Sequence, residues 1–213
     1  NNDCLFQLNL IASNKQEYTN GISCLFDVIN NTCTKMGSRL LRDRLIRPIT
    51  NISELENRYN LIDKSLKVTE VYRKLLQNIS DLEKKYRKLV LKKLNPFEFA
   101  SLDISFRNII SILELKYDIF SIEKNDIVEF KNFYKNFLDT FDLEIMSKYD
   151  LQNIKTSFFK KGISPKIDEL NNRILSINKV FEQISEKLYL FGEKKAKVKI
   201  CYNEKDGTYF TTT

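Results

Sequence analysis

One apolar stripe constrains the fold of this chain more than any other feature. Its members lie three and four positions apart: Ile167, Leu170, Ile174, Ile177, Phe181, Ile184 and Leu188. This heptad-type spacing over about 25 residues predicts one helix roughly 40 Å long. Ser164-Pro165 before the stripe and Gly192 after it are typical of helix ends. A helix with a single apolar stripe needs a partner helix, and the similar stripe in residues 127–141 predicts an antiparallel pair.

Shorter helices are predicted upstream by helix-start signals and by further stripes. Ser53-x-x-Glu56 and Ser80-x-x-Glu83 have the spacing of capping boxes. Asn95-Pro96 places a cap before a first-turn proline. Apolar residues three and four apart follow these signals: Leu55, Tyr59, Ile62 and Leu66; Leu82, Tyr86 and Leu89; Phe99, Leu102, Phe106, Ile109 and Leu113. We expect these faces to form a helical core.

The sequence period changes from helix-like to strand-like after Gly192. Apolar and polar residues alternate in residues 198–202 and again in 209–211, with Asp206-Gly207 between the two runs. This pattern predicts a β-hairpin. Two strands alone are marginally stable, and Asn1-Asn2-Asp3 contains no initiator Met. We therefore expect an excised segment of a longer protein.

Composition argues against several classes of protein. The chain has 213 residues and no His, its five Gly form no phosphate-binding loop, and its four Cys show no CxxC spacing. We therefore expect no catalytic residue, metal or cofactor in the segment, and reduced cysteines. No apolar run is long enough to cross a membrane. The net charge of +7 suits a polyanionic partner, although it is spread along the chain.

Residues 26–48 form the most informative motif. A short apolar helix and a Thr-rich break precede a second predicted helix that carries Met36-Gly37-x-Arg39-Leu40-Leu41 and stops at Pro48. Glycine in the interior of a helix destabilises it relative to alanine. The presence of Gly37 therefore predicts that another backbone approaches closely here, in a helix–helix contact. The whole pattern resembles the core domain of the MutS family of DNA mismatch-repair proteins.

Further landmarks follow in the order of that family. Residues 78–84, with Asp81-Leu82-Glu83, resemble its Asp-Leu-Glu-Arg helix start. Residues 162–170, with Gly162 and Asp168, resemble the head of its outgoing lever helix, and residues 198–210, with Gly207, resemble its first clamp strands. The chain departs from the family pattern in four places: Ile163, Asn171, Cys201 and Thr208.

The resemblance implies a mainly α fold: a multi-helical core, long antiparallel lever helices and a small β-hairpin at the C-terminal end. It divides the chain into a connector (1–21), a helical core domain (22–120), lever helices (121–192) and the start of a clamp domain (193–213). In such a protein this segment is non-catalytic and links an ATPase to a clamp that holds DNA. ATP and Mg, and the residues that read a mismatch, then belong to other parts of the parent protein.

The resemblance also implies the partners: mismatched double-stranded DNA held by its backbone, a homo- or heterodimer, and no membrane. The compartment is then an intracellular one that contains DNA, with cytoplasm, nucleus and organelle all left open. The candidates for DNA contact are the densest basic group: Lys194, Lys195, Lys197 and Lys199. Their alternative role is to protect a solvated strand edge. The alternative for the whole chain is an α-helical coiled-coil module that binds a protein and never meets DNA.

Overall fold

The structure, a computed structural model, describes residues 2–12, 22–115, 119, 122–152, 154–191, 198–203 and 207–212. The chain divides into two compact units. Unit 1 takes residues 1–138 and 143–153, and unit 2 takes residues 139–142 and 154–213. The domain boundaries implied by the family resemblance stay a prediction.

The fold is mainly α-helical with one β-hairpin, as predicted. In chain order the helices are α1 (Asn2–Gln7), α2 (Leu25–Ile29), α3 (Lys35–Ile46), α4 (Ile52–Leu66), α5 (Thr69–Leu76), α6 (Leu82–Val90), α7 (Pro96–Ala100), α8 (Leu102–Glu114), α9 (Lys124–Thr140), α10 (Leu143–Met146) and α11 (Pro165–Phe191). The strands β1 (Val198–Asn203) and β2 (Gly207–Thr212) follow. The predicted long helix is therefore present as α11, with 27 residues.

The helix starts differ from prediction at two of three places. Asn51 caps α4 by accepting from the Glu54 N–H, and Asp81 caps α6 by accepting from the Lys84 N–H. The capping boxes predicted at Ser53 and Ser80 are therefore wrong, because a short Asn or Asp side chain lies nearer each helix start. The predicted start at Asn95-Pro96 is confirmed, and the Glu98 carboxylate accepts from the Asn95 N–H at 3.2 Å.

Aromatic side chains join α8 to α9 in unit 1. Phe106 of α8 lies edge-on to four rings of α9, at centroid distances of 5.5–6.2 Å: Phe130, Phe133, Tyr134 and Phe137. The Tyr134 hydroxyl donates to Asp103 at 2.6 Å, and burial together with this bond raises the pKa of Tyr134 to about 12. The predicted antiparallel pairing of this stripe with the long helix stays a prediction, because most of α9 and the long helix belong to different units.

Two predicted core faces are exposed. On α4, Tyr59, Ile62 and Leu66 are 57%, 54% and 68% exposed. The stripe of α6 is likewise open at Tyr86 and Leu89. The expectation that these residues are core is wrong for the chain by itself. The spacing of apolar residues identifies the apolar face of a helix but does not show whether that face is buried. The buried apolar residues of unit 1 lie chiefly around α5, α7 and α8.

Unit 2 consists of α11, the hairpin and the segment that leads into the helix. The strands β1 and β2 are antiparallel, with Asn203 opposite Gly207, whose φ is +73°. The predicted turn residue Asp206 lies outside the described residues. The hairpin packs on α11, where the Phe181 and Phe210 ring centroids are 5.6 Å apart and Ser185 Oγ donates to the Val198 carbonyl at 3.5 Å.

Candidate functional site

The candidate site is the junction between α3 and the start of α6 in unit 1. The Arg39 guanidinium donates from Nη1 and Nη2 to the two oxygens of Asp81, at 2.7 and 2.8 Å. It also donates from Nε to Glu83 at 3.0 Å. A guanidinium holds carboxylates best in this forked geometry. The junction therefore connects two of the sequence landmarks, the Met36–Leu41 motif and the 78–84 motif.

Asp81 takes part in two interactions at once. One carboxylate oxygen, Oδ1, also accepts from the Lys84 N–H at 3.1 Å and so caps α6. Hydrogen bonds from Arg39 lower the pKa of Asp81 to about 2, and the same bonds raise the pKa of Arg39. The capped end of α6 is therefore fixed to α3 by a carboxylate that stays ionised well into acid.

Two substitutions at Asp81 distinguish its ion pair with Arg39 from its role as the cap of α6. Because the folded-state pKa of about 2 lies below the ordinary 3.8, the contribution of this ion pair is complete above pH about 4 and is lost as the pH falls towards 2. Asp81→Asn keeps an acceptor for the cap, so we expect it to remove this acid-dependent part of the free energy of unfolding. Asp81→Ala also removes the cap and lowers stability further by about 1 kcal/mol.

Denaturant titrations at pH 7, 4, 3 and 2 measure both effects. Arg39→Gln is the matched variant, because it removes the partner charge and leaves the cap intact. We expect Asp81→Asn to be almost without further effect once Arg39 is replaced. Equal acid losses in the original chain and in Asp81→Asn would contradict this account.

The close approach predicted at Gly37 exists, but its neighbour is not a second helix. A Cβ placed on Gly37 would lie 2.9 Å from Thr34 Oγ1, and the next nearest atoms belong to the Thr32 side chain. Thr34 is the N-cap of α3, and its hydroxyl accepts from the Gly37 N–H at 3.0 Å. The expectation of helix–helix packing is therefore corrected, since the glycine makes room for the cap of its own helix.

A double-mutant cycle tests this role of Gly37. Alanine in a helix is ordinarily favoured over glycine by about 0.5–1 kcal/mol, but here its methyl group would displace the Thr34 hydroxyl. We expect Gly37→Ala to give no gain in the free energy of unfolding of the original chain. In a Thr34→Ala background the same change should stabilise by about 0.5–1 kcal/mol. A full gain with Thr34 present would contradict this interpretation.

The loop before α3 is fixed from both sides. Asn30 Nδ2 donates to Ser38 Oγ at 3.1 Å. From α5, Arg73 donates to the carbonyl and the side-chain oxygen of Asn31, at 2.8 and 3.0 Å. Side-chain bonds thus connect this loop to both α3 and α5.

The other residues of the Met36–Leu41 motif lie along α3 and beyond it. Met36 and Leu41 are half-buried, while Leu40 is 52% exposed. The helix ends at Ile46, before Pro48, as the sequence predicts.

A second connection lies at the head of α11 in unit 2. The Gly162 N–H donates to Asp168 Oδ2 at 2.9 Å, with Gly162 at a φ of +91° that favours glycine. Nearby, Phe141 and Phe159 form a β-bridge, with bonds of 2.8 and 2.9 Å between residues 140–142 and 158–160. The two family landmarks Gly162 and Asp168 therefore contact each other and fix the start of the long helix.

Only one of the four lysines predicted to contact DNA is among the described residues. Lys199 is exposed on β1, opposite Thr211. Lys194, Lys195 and Lys197 lie outside the described residues. Among the residues that the structure does describe, no group of three Cys, Asp or Glu side chains forms a metal-binding cluster. None of the described helices is both long enough and apolar enough to span a membrane.

Comparison with known families decides what these connected landmarks represent. The model of MutS domain III matches residues 3–198. The chain belongs to the MutS domain III family. This domain is the core and lever region of mismatch-repair proteins, and it is a non-catalytic domain of MutS.

Relatives of the MutS family come from a virus and from bacteria. A mutS homolog of Acanthamoeba polyphaga mimivirus, described as a DNA mismatch-repair protein, is 33% identical over 99% of this chain and 20% of its own length. The DNA mismatch repair protein MutS of Thermotoga neapolitana is 28% identical over 89% of this chain and 23% of its own. That of Borreliella burgdorferi is 29% identical over 99% and 24%. The chain thus spans about a fifth to a quarter of the relatives that it matches.

The partners of Arg39 were not predicted from the sequence, because Asp81-x-Glu83 lies more than forty positions away. The signal that was present is the pair of acids at a helix start, because such acids are well placed to accept from a guanidinium on a neighbouring helix.

Proposed function

We propose that this chain is the core and lever segment of a larger DNA mismatch-repair ATPase, in which it transmits the nucleotide state to a clamp that holds duplex DNA. The observation that carries the proposal is the unbroken helix α11. A hydrogen bond fixes its first turn through Gly162 and Asp168, and the hairpin packs on its C-terminal half through Phe181.

Transmission needs an element that does not bend. An α-helix of 27 residues is about 40 Å long and continuous in its backbone hydrogen bonds. The bonds at its head and the hairpin packed near its end give it one attachment point at each side. A displacement at the first attachment is therefore carried to the hairpin.

The proposal assigns nucleotide chemistry to another part of the parent protein, where ATP and Mg would bind. The purified chain should show no ATP hydrolysis above a protein-free blank in the presence of Mg²⁺. Turnover that survives further purification and follows the protein through gel filtration would contradict the proposed division of labour.

Duplex DNA is the proposed partner of the basic group that includes Lys199. Contacts with four phosphates predict that the affinity falls about a hundredfold between 50 and 200 mM salt. A matched and a mismatched duplex should bind equally, because phosphate contacts carry no sequence information.

A lysine-to-alanine variant at 194, 195, 197 and 199 tests this contact by fluorescence anisotropy. The control is a second variant with four exposed lysines replaced elsewhere: Lys64, Lys67, Lys74 and Lys135. We expect the first variant to weaken duplex binding and to flatten its salt dependence. Equal losses in both variants would contradict a specific contact by the hairpin.

The exposed stripe of α11 favours a second candidate function, a coiled-coil protein-interaction module. Leu170, Ile174 and Ile177 are 47%, 46% and 52% exposed. In the leading proposal another lever helix of the parent protein covers this stripe. In the alternative the stripe dimerises, and sedimentation would then show a dimer that persists at high salt and is lost in Ile174→Glu. A salt-insensitive dimer without duplex binding would favour the alternative.

The remaining parts of the proposal concern assembly and compartment. The parent protein would act as a homo- or heterodimer in an intracellular compartment that contains DNA. Both rest on the family resemblance.

A further inference from the structure

A group of unpaired cations lies on and just after α6 in unit 1. We call the following four residues the α6 basic patch: Lys84, Arg87, Lys92 and Lys93. All four are exposed, and among the described residues none forms an ion pair with a carboxylate. The patch is therefore a concentration of positive charge that the described part of the chain does not balance.

The two other lysines of this helix are engaged and set the patch apart. Lys88 Nζ lies 2.5 Å from a carboxylate oxygen of Glu98, and Lys85 Nζ donates to Ser101 Oγ at 2.6 Å. These two side chains connect α6 to α7 and its end. Within the described residues, the patch side chains form no hydrogen bond or ion pair of this kind, and Lys84 has only a longer-range attraction to Asp81. A structural role therefore does not account for the patch.

The backbone at the end of α6 also disfavours lysine. Lys92 has a φ of +55°, the left-handed region that glycine adopts most easily. The Lys92 N–H bonds to the Leu89 carbonyl at 2.9 Å and the Lys93 N–H to the Lys88 carbonyl at 2.8 Å. This is a Schellman motif, which usually brings two apolar side chains together at the positions of Lys88 and Lys93. Folding alone would therefore select other residues here, which suggests that these lysines serve a contact outside the chain.

Apolar side chains interrupt the cations and indicate the kind of partner. Tyr86, Val90 and Leu91 are 69%, 62% and 55% exposed. A phosphate backbone would gain nothing from these apolar groups. A protein segment with both acidic and apolar side chains would contact both components.

We propose that the α6 basic patch, together with Tyr86, Val90 and Leu91, is a docking surface for an acidic amphipathic segment of a partner protein. This surface is separate from the proposed DNA contact on the hairpin and does not depend on it.

The test measures anisotropy of a labelled peptide of four Glu-Glu-Leu-Leu repeats with the full chain. Replacing all four patch cations by Glu should weaken binding by about tenfold or more, because like charges then face each other. The charge-matched control replaces Lys64, Lys67, Lys74 and Lys135 by Glu and should bind as the original chain does. Equal weakening in both variants would overturn the proposal.

Two further probes separate the alternatives. An all-Glu peptide of the same length should bind more weakly than the amphipathic peptide, and Leu91→Ala should narrow that difference. The patch variant should lose no more affinity for a short DNA duplex than the charge-matched control does. If the duplex, and not the peptide, loses affinity in the patch variant, the surface binds nucleic acid and the proposal fails.

The single variant Lys92→Gly provides a measurement that misfolding cannot imitate. It should raise the melting temperature, because glycine relieves the left-handed backbone, and at the same time weaken the amphipathic peptide severalfold. A stabilised chain with unchanged peptide affinity would remove Lys92 from the docking surface and overturn the argument drawn from its backbone conformation.

Discussion

Replacing Phe106 by alanine is expected to lower the free energy of unfolding by about 3 kcal/mol, the low end of the range for phenylalanine because its ring is half-buried. The ring contacts four aromatic rings of α9 and is the centre of the α8–α9 interface. Its removal takes away one partner from every edge-to-face pair in this cluster. Thermal and denaturant unfolding of the full chain, followed by far-UV circular dichroism, measures the loss.

Phe133 gives a matched control for Phe106. Its ring belongs to the same cluster, with its centroid 5.7 Å from that of Phe106, but it is 52% exposed. We expect Phe133→Ala to cost much less than Phe106→Ala, and Phe106→Leu to fall between the two. If the two alanine variants were equally stable, the packing of α9 on α8 would be contradicted.

Replacing Ser105 by alanine is the second large change that we expect, with a loss of about 1–3 kcal/mol. Ser105 is fully buried, with 0% exposure. Its hydroxyl accepts from the Ser80 N–H at 3.1 Å and lies 2.9 Å from the Ser80 hydroxyl. Alanine would leave the N–H of Ser80 without its acceptor immediately before the Asp81 cap. The loss should therefore affect the start of α6 as well as overall stability.

Ser111 is the control for Ser105 on the same helix. Its hydroxyl donates to the Arg107 carbonyl at 3.0 Å on the exposed face of α8. Ser111→Ala removes an equivalent hydroxyl without burying an unpaired group, so we expect little change. Amide hydrogen exchange of Ser80 should accelerate in Ser105→Ala and not in Ser111→Ala. Unchanged exchange at Ser80 would show that the buried hydroxyl does not hold the start of α6.

The long helix and the hairpin were predictable because their periodic patterns are local. The stripe from Ile167 to Leu188 identifies α11, and strict alternation identifies β1 and β2. The family landmarks could also be recognised, since each is a short sequence motif and the motifs follow in the order of the family. The helix start at Asn95-Pro96 was equally predictable, because the cap and the proline are adjacent in the sequence.

Contacts between distant segments were not predictable from these patterns. The stripe of α9 shows an apolar face but not that Phe106 of α8 is its neighbour. Nothing in the sequence around Arg39 indicates that Asp81 is its carboxylate partner. At the helix starts, Ser53 and Ser80 fitted a spacing rule, but Asn51 and Asp81 occupy the N-cap positions and bind the same kind of backbone donor.

A proline in the middle of α11 tests whether the stiffness of this helix is needed to transmit the nucleotide state. Lys179 is exposed and lies off the apolar stripe, so replacing it removes no core contact. Lys179→Pro would break the helix at a cost of about 3 kcal/mol in free energy, while Lys179→Ala preserves it. The measurement is the rate of ATP-triggered release of duplex DNA by the mismatch-repair protein that contains this segment. We expect the rate of release to fall on the order of tenfold in Lys179→Pro and to stay unchanged in Lys179→Ala, with ATP hydrolysis retained in both. Release at an unchanged rate in Lys179→Pro would contradict the account.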